Sequence, residues 1–105
     1  MREKRIAHLR ELLAQDPDDS FSRYALALEF AGMEKPDEAV QMLEDLLTRD
    51  PAYLPAYQQL GSLYAQTHRG KEAVAILKRG IELAEQQEDR HTQSEMQEAL
   101  DDLES

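Results

Sequence analysis

The residues in this sequence that are chemically suited to catalysis are three histidines and scattered carboxylates. His8, His68 and His91 show no paired spacing along the chain. We expect His8 and His91 on solvated helix faces and His68 in a turn. Catalysis needs a nucleophile, a base or a metal held together in a pocket, and the sequence shows no such set. It therefore predicts no catalytic residues and a protein that is not an enzyme.

One segment, DPDDSF at residues 16–21, begins like a calcium-binding loop. Phe21 stands where that loop requires Gly, and Ala27 stands where it requires a bidentate Glu. Cysteine is absent, which excludes disulfides and thiolate metal sites. No segment resembles a Gly-rich phosphate-binding loop. We therefore predict neither a metal site nor a cofactor.

The charge and the hydropathy of the chain argue against two classes of partner, nucleic acids and membranes. The chain has 105 residues, enough for one small domain, and its 22 acidic and 12 basic residues give a formal net charge of −10. Phosphate binding draws on Lys and Arg, so this balance argues against a nucleic-acid partner. The basic cluster at residues 2–5 is too short to change that. No apolar run is long enough to span a bilayer, and no signal peptide is recognisable, so we expect no membrane partner and a cytoplasmic location.

An internal repeat organises the chain. The pair Asp16-Pro17 recurs as Asp50-Pro51, which defines one offset between two halves of the sequence. At the same offset, small residues match small ones and aromatic residues match aromatic ones: Leu26, Ala27, Phe30, Ala39, Val40 and Leu43 fall on Leu60, Gly61, Tyr64, Ala73, Val74 and Leu77. Agreement of this kind at one offset indicates two copies of one structural unit.

Each copy has the periodicity of two helices. Apolar residues recur three and four positions apart in two stripes, and no segment alternates like a strand. Gly32 and Pro36 in the first copy, and Gly70 in the second, interrupt the stripes. Pro suits the first turn of a helix, and we expect Gly to make the turn itself. Each copy is predicted to be a helix–turn–helix.

The two copies share a series of key positions. The second copy reads Tyr57, Leu60-Gly61, Tyr64, Ala73, Leu77 and Gly80, and the first reads Arg23, Leu26-Ala27, Phe30, Ala39, Leu43 and Pro51. In this order the sequence resembles the tetratricopeptide repeat family. The resemblance implies an all-α fold of two antiparallel helix hairpins, stacked as a short right-handed solenoid with a flanking helix at each end. An unrelated helical bundle is the alternative.

The predicted organisation is one domain in four segments: an N-terminal helix in 1–19, repeats at 20–53 and 54–87, and a C-terminal capping helix in 88–105. The first helix, 2–15, should have Arg2, Arg10 and Glu11 on its wet face. We favour a break near 89–91 over one long helix from Lys71. The last helix is expected to start with a capping box at Thr92 or Ser94, to pack Met96, Leu100 and Leu103 inward, and to carry Asp101 and Asp102 as solvated charge.

The resemblance also implies a function. In that family the first helices of successive repeats line a concave groove, which here predicts a non-catalytic module that binds a protein or peptide. The groove positions fall on Phe21, Tyr24, Leu28, Gln58 and Ser62. The Lys and Asn residues that clamp chaperone C-terminal tails are missing, which argues against that ligand. The alternative is self-assembly into a homodimer through exposed helix faces.

Overall fold

The computed structural model describes residues 1–105 and contains six α-helices and no strand. The helices are α1 (Arg2–Gln15), α2 (Ser20–Gly32), α3 (Pro36–Arg49), α4 (Leu54–Gln66), α5 (Gly70–Gln86) and α6 (Arg90–Glu104). They form two compact units, the N-terminal unit Met1–Tyr53 and the C-terminal unit Leu54–Ser105. The predicted all-α fold is confirmed, and no helix is both long and apolar enough to cross a membrane.

The ends of the helices repeat with the period of the sequence. The offset that carries Asp16 onto Asp50 also carries both ends of α1 onto those of α3, and both ends of α2 onto those of α4. The same offset carries the start of α3 onto the start of α5, but α5 has 17 residues instead of 14. Helix α1 therefore corresponds to the second helix of a repeat. The exact repeat limits, 20–53 and 54–87, stay predictions.

Aspartates cap two of the helices. At α2 the Ser22 backbone N–H donates to Asp19 Oδ1 at 3.0 Å, and the Ser22 hydroxyl donates to Oδ2 at 2.5 Å. At α6 the Thr92 N–H and hydroxyl donate to Asp89 at 3.0 and 2.8 Å. The predicted cap at Thr92 or Ser94 was wrong, because Asp89 is the N-cap residue and accepts the Thr92 N–H, while Ser94 lies inside α6.

The turns between helices do not use glycine. Glu34, His68 and Glu88 take the left-handed conformation, with φ of 59°, 62° and 59°. After Glu34 and His68, backbone N–H groups reach five residues back, as in the bond from Lys35 N to Phe30 O at 3.0 Å. These bonds satisfy carbonyls at the end of the helix. The expectation that Gly makes the turn was wrong, since no glycine has a positive φ.

The helices α5 and α6 are separate. Helix α5 ends at Gln86, Glu88 turns the chain, and Asp89 N donates to Ala84 O at 2.9 Å. The structure thus has the break that we favoured over a single long helix.

In the N-terminal unit, α1 and α3 both pack on α2. Ile6 and Leu9 are the buried residues of α1. Its basic side chains also contact α2, since Arg2 and Arg5 reach the Glu29 carboxylate at 3.1 and 2.6 Å. The Arg10 guanidinium lies 5.7 Å from the centre of the Phe30 ring. Arg10 and Glu11 are exposed, as predicted for the wet face of α1, and the long side chains of Arg2 and Arg10 also reach across to α2.

In the C-terminal unit, α5 packs against both α4 and α6. Two glycines permit the close contact. A Cβ atom on Gly61 would lie 2.7 Å from Leu77 Cδ2, and one on Gly80 would lie 2.6 Å from Met96 Sδ and 2.8 Å from Tyr57 Cβ. Met96 and Leu100 are buried, as predicted. The small residues of the repeat thus allow helices to approach closely.

Candidate functional site

A groove of about 670 Å³ lies in the C-terminal unit between α4 and α6. Its α4 wall is Gln58, Gln59, Ser62, Ala65 and Gln66, and its α6 wall is Glu95, Ala99, Asp102 and Leu103. On both walls the residues recur three and four positions apart. This spacing places each set on one face of its helix. We call this site the α4–α6 groove.

The floor of the α4–α6 groove is apolar. Leu77 of α5 and Gly61 of α4 line it and are both buried. Gly61 allows Leu77 to come this close, because a Cβ atom there would lie 2.7 Å from Leu77 Cδ2. Small residues above the floor, Ser62, Ala65 and Ala99, keep the space between the helices open. The result is a shallow depression with an apolar base.

The rim of the α4–α6 groove is polar and acidic. Gln58 Nε2 donates to Glu95 Oε1 at 3.2 Å, so an amide joins the two walls. Gln66 Nε2 donates to Ser62 Oγ at 3.1 Å on the α4 side. The Asp102 carboxylate makes no hydrogen bond or ion pair within the chain. Neither Lys nor Arg lines the groove, so its charge is negative.

The structure places the five predicted groove residues in two groups. Gln58 and Ser62 lie together on the α4 wall of the α4–α6 groove. Phe21, Tyr24 and Leu28 lie on α2 in the N-terminal unit, where Phe21 is 68 % exposed and Leu28 is 38 % exposed. The two groups belong to different units, and their role in binding stays a prediction.

Tyr24 is not a free surface residue. Its ring centre lies 5.4 Å from that of Tyr53, with the ring planes tilted by 51°. This contact leaves Tyr24 half-buried. Burial also raises the pKa of the Tyr53 hydroxyl above its usual value. Part of the Tyr24 side chain therefore serves the packing of its own unit.

Sequence reasoning missed the α6 wall. Glu95 was considered only as the capping-box partner of Thr92, and Ala99 only as a neighbour of the apolar stripe. Leu103 was expected to pack inward, and Asp102 was treated as solvated tail charge. Leu103 is instead 36 % exposed at the groove. A signal was present in the spacing of residues 95, 99 and 102, which recur four and three positions apart and therefore share one helix face.

The chemistry of this arrangement is that of recognition. Amides, a hydroxyl and carboxylates surround an apolar floor, and such polar groups can pair with the backbone and side chains of a peptide. No group of three His, Asp or Glu side chains in the chain is arranged to hold a metal ion. The three histidines are exposed and lie apart on α1, the α4–α5 turn and α6.

Comparison with known proteins identifies the fold. The family model described as tetratricopeptide repeat matches residues 30–100. The chain belongs to the tetratricopeptide repeat family. The resemblance drawn from the sequence is thereby confirmed, and membership places the chain among protein–protein interaction modules of helical repeats. Among curated proteins, none matches the sequence.

Two solved bacterial structures resemble the chain closely. It is 36 % identical to a tetratricopeptide repeat domain protein from Salinibacter ruber, covering 85 % of this chain and 90 % of that one, with a TM-score of 0.80. A protein from Bordetella parapertussis is 28 % identical over 93 % of this chain and 85 % of its own, with a TM-score of 0.81.

A more distant relative shares the tetratricopeptide repeat fold alone. The type III secretion translocator chaperone SycD of Yersinia enterocolitica is 17 % identical over 98 % of this chain and 72 % of its own, with a TM-score of 0.89. The fold is therefore shared with a protein whose sequence differs at most positions.

Proposed function

We propose that this protein is a non-catalytic interaction module that binds a peptide or a partner protein through the α4–α6 groove. The observation that carries the proposal is the groove itself, in which the faces of two helices enclose an apolar floor. Its volume of about 670 Å³ falls in the range of ligand pockets. An apolar side chain docked against Leu77 would be removed from water, while Gln58 and Gln66 offer amides to a peptide backbone.

Two alanines give a matched test of this proposal. Ala65 lines the groove, whereas Ala75 is exposed on α5 and does not line it. Peptides are first selected from a phage library of short random sequences on the full chain. Their affinities for wild type, Ala65→Trp and Ala75→Trp are then measured by fluorescence anisotropy.

The expected result is that Ala65→Trp weakens binding about tenfold or more, because the indole fills the groove. Ala75→Trp should bind like wild type, which controls for the bulk of the added side chain. Circular dichroism of both variants checks that the helices are retained. If Ala65→Trp binds the selected peptides as well as wild type, or if no peptide is enriched, the groove is not the binding site.

Self-assembly is a second candidate function, and one observation favours it. Phe21 and Leu28 are large apolar residues exposed on α2, and they lie seven residues apart, which puts them on one helix face. A second copy of the chain would cover this face in a homodimer. Light scattering across a concentration series measures the mass, and the double change Phe21→Ser and Leu28→Ser should abolish any dimer.

A further inference from the structure

The charge of the α4–α6 groove lies on its α6 wall. Glu95 and Asp102 are seven residues apart on one helix face, a distance of about 10 Å along the axis. The Gln58 amide binds Oε1 of Glu95, and Oε2 lies 3.6 Å from Nε2 of His91. Asp102 makes no side-chain hydrogen bond or ion pair with the chain. One carboxylate is thus held in place and the other is available.

The same groove offers apolar surface between these carboxylates. Ala99 lies between them on α6, Leu103 is 36 % exposed beside Asp102, and Leu77 closes the floor. The volume of about 670 Å³ accommodates a large aliphatic or aromatic side chain together with a stretch of backbone. An apolar anchor and a cation can therefore be bound within two turns of α6.

No cation of the chain neutralises this wall from within the groove. The lining includes neither Lys nor Arg, and Lys78 pairs with Glu104, outside the lining, at 3.9 Å. The net charge of −10 adds a repulsive field for acidic ligands and for a second copy of the chain. Both the local and the overall charge favour a basic ligand.

We infer that the α4–α6 groove binds a basic segment of another protein, in which a bulky apolar side chain is flanked by Lys or Arg. The apolar side chain lies on Leu77 and Leu103, and the cation pairs with Asp102. This inference rests on the proposed function and adds the chemistry of the partner to it. Charge complementarity decides the choice of ligand, because the apolar floor alone would accept many segments.

The test uses the peptides selected from the random library, with two charge-reversed proteins. Asp102→Lys changes the groove. Glu98→Lys makes the same charge change on an exposed residue of α6 that does not line it. We expect enriched peptides that combine Lys or Arg with Leu, Ile, Met or Phe. Asp102→Lys should weaken their binding about tenfold, Glu98→Lys much less, and added NaCl should weaken binding to wild type.

A charge swap completes the test. Replacing Lys by Glu in the selected peptide should weaken its binding to the wild-type protein. The same changed peptide should bind the Asp102→Lys protein well, because the two charges are then opposite again. Binding in the groove is shown when Ala65→Trp weakens the affinity of a selected peptide. If peptides that meet this criterion carry no excess of basic residues, this inference is wrong and the proposed function remains intact. Equal losses of peptide affinity in Asp102→Lys and Glu98→Lys would also overturn it.

If light scattering shows a dimer that Asp102→Lys dissociates, the occupant is a second copy of the chain and the inference is wrong. Peptides insensitive to Ala65→Trp would overturn the proposed function as well.

Discussion

The corresponding helices α2 and α4 share their length and register but present different chemistry. On α2 the half-buried Tyr24 and the exposed Leu28 occupy the positions that Gln58 and Ser62 hold in the repeat on α4. The buried positions, in contrast, keep the same residue type, since Leu26 on α2 is equivalent to Leu60 on α4. Packing fixes the buried face of each repeat, so the exposed face is where the chemistry of the two units can differ.

A second difference lies at the centre of each unit. Leu46 of α3 is 1 % exposed and fills its own place in the N-terminal unit. The corresponding residue of α5 is Gly80, and its missing side chain leaves room for Met96 of α6. Glycine at this position allows the C-terminal unit to hold α6 tightly, and with it the wall of the groove.

The largest effect is expected from filling that space. Gly80→Leu places a side chain where Met96 Sδ and Tyr57 Cβ lie 2.6 and 2.8 Å from the new Cβ. Overpacking should lower the free energy of unfolding by about 3 kcal/mol. Gly70→Leu is the matched control, because a Cβ on Gly70 meets nothing within 4 Å. Urea denaturation gives both values, and similar losses for the two variants would show that Gly80 is not a packing requirement.

A smaller effect on stability should distinguish Tyr24 from Gln58, which occupy equivalent positions of the two repeats. Tyr24→Ala removes the ring that packs on Tyr53 at 5.4 Å and should cost about 1 kcal/mol. Gln58→Ala removes only a surface hydrogen bond to Glu95 and should cost less than about 0.5 kcal/mol. Thermal and urea unfolding measure both. Equal losses would mean that the exposed face of α4 is as important for stability as that of α2.

Relief of the left-handed turns should stabilise both units by a similar small amount. Glu34→Gly and His68→Gly replace residues with φ of 59° and 62°, and each should raise the free energy of unfolding by about 0.5 kcal/mol. Glu38→Gly, inside α3, should lower it by about 1 kcal/mol because glycine is unfavourable within a helix. A gain at only one of the two turns would show that the turns are not equivalent.

The smallest effect is confined to acidic pH and concerns the two aspartate caps. Hydrogen bonds from the Ser22 hydroxyl and N–H lower the pKa of Asp19 below 3.8, and those from the Thr92 N–H and hydroxyl lower that of Asp89 in the same way. A carboxyl whose pKa is lowered by folding stabilises the folded state above about pH 4 and loses this contribution as the pH falls through its folded value.

Asp19→Asn and Asp89→Asn should therefore reduce the loss of stability between pH 7 and pH 3, since an amide oxygen still accepts the cap bonds but does not titrate. Urea midpoints at the two pH values measure this change. Glu98→Gln, at an exposed position of α6 that makes no cap, is the control. An unchanged acid response in both cap variants would show that the caps are not coupled to folding.

The repeat itself was predictable because close packing restricts residue types. Positions such as Gly61 and Ala73 accept only small side chains, so their recurrence was visible in the sequence and located the helices. The helix caps were harder to predict. Asp89, Thr92 and Ser94 are all favourable N-cap residues, and the choice depends on where α5 ends.

The candidate site was only half predictable. Gln58 and Ser62 follow from the register of the repeat. Glu95 and Asp102 do not, because a charged residue on an exposed helix face has the same pattern whether it faces water or a groove. Their place in the groove appears only when α6 is found beside α4. The left-handed Glu34 was hidden for a related reason, since hydrogen bonds at the helix end allow a residue other than glycine there.

The fit of Met96 against Gly80 also has a consequence for oxidation. A sulfoxide adds a polar oxygen to the thioether, and the close contact at Gly80 leaves no room for it in the folded unit. Met96 is 0 % exposed, whereas Met1 is 98 % exposed. Peroxide should therefore modify Met1 at once and reach Met96 only while α6 is detached. The rate of Met96 sulfoxide formation, measured by mass spectrometry on the intact protein, then reports how often α6 opens locally.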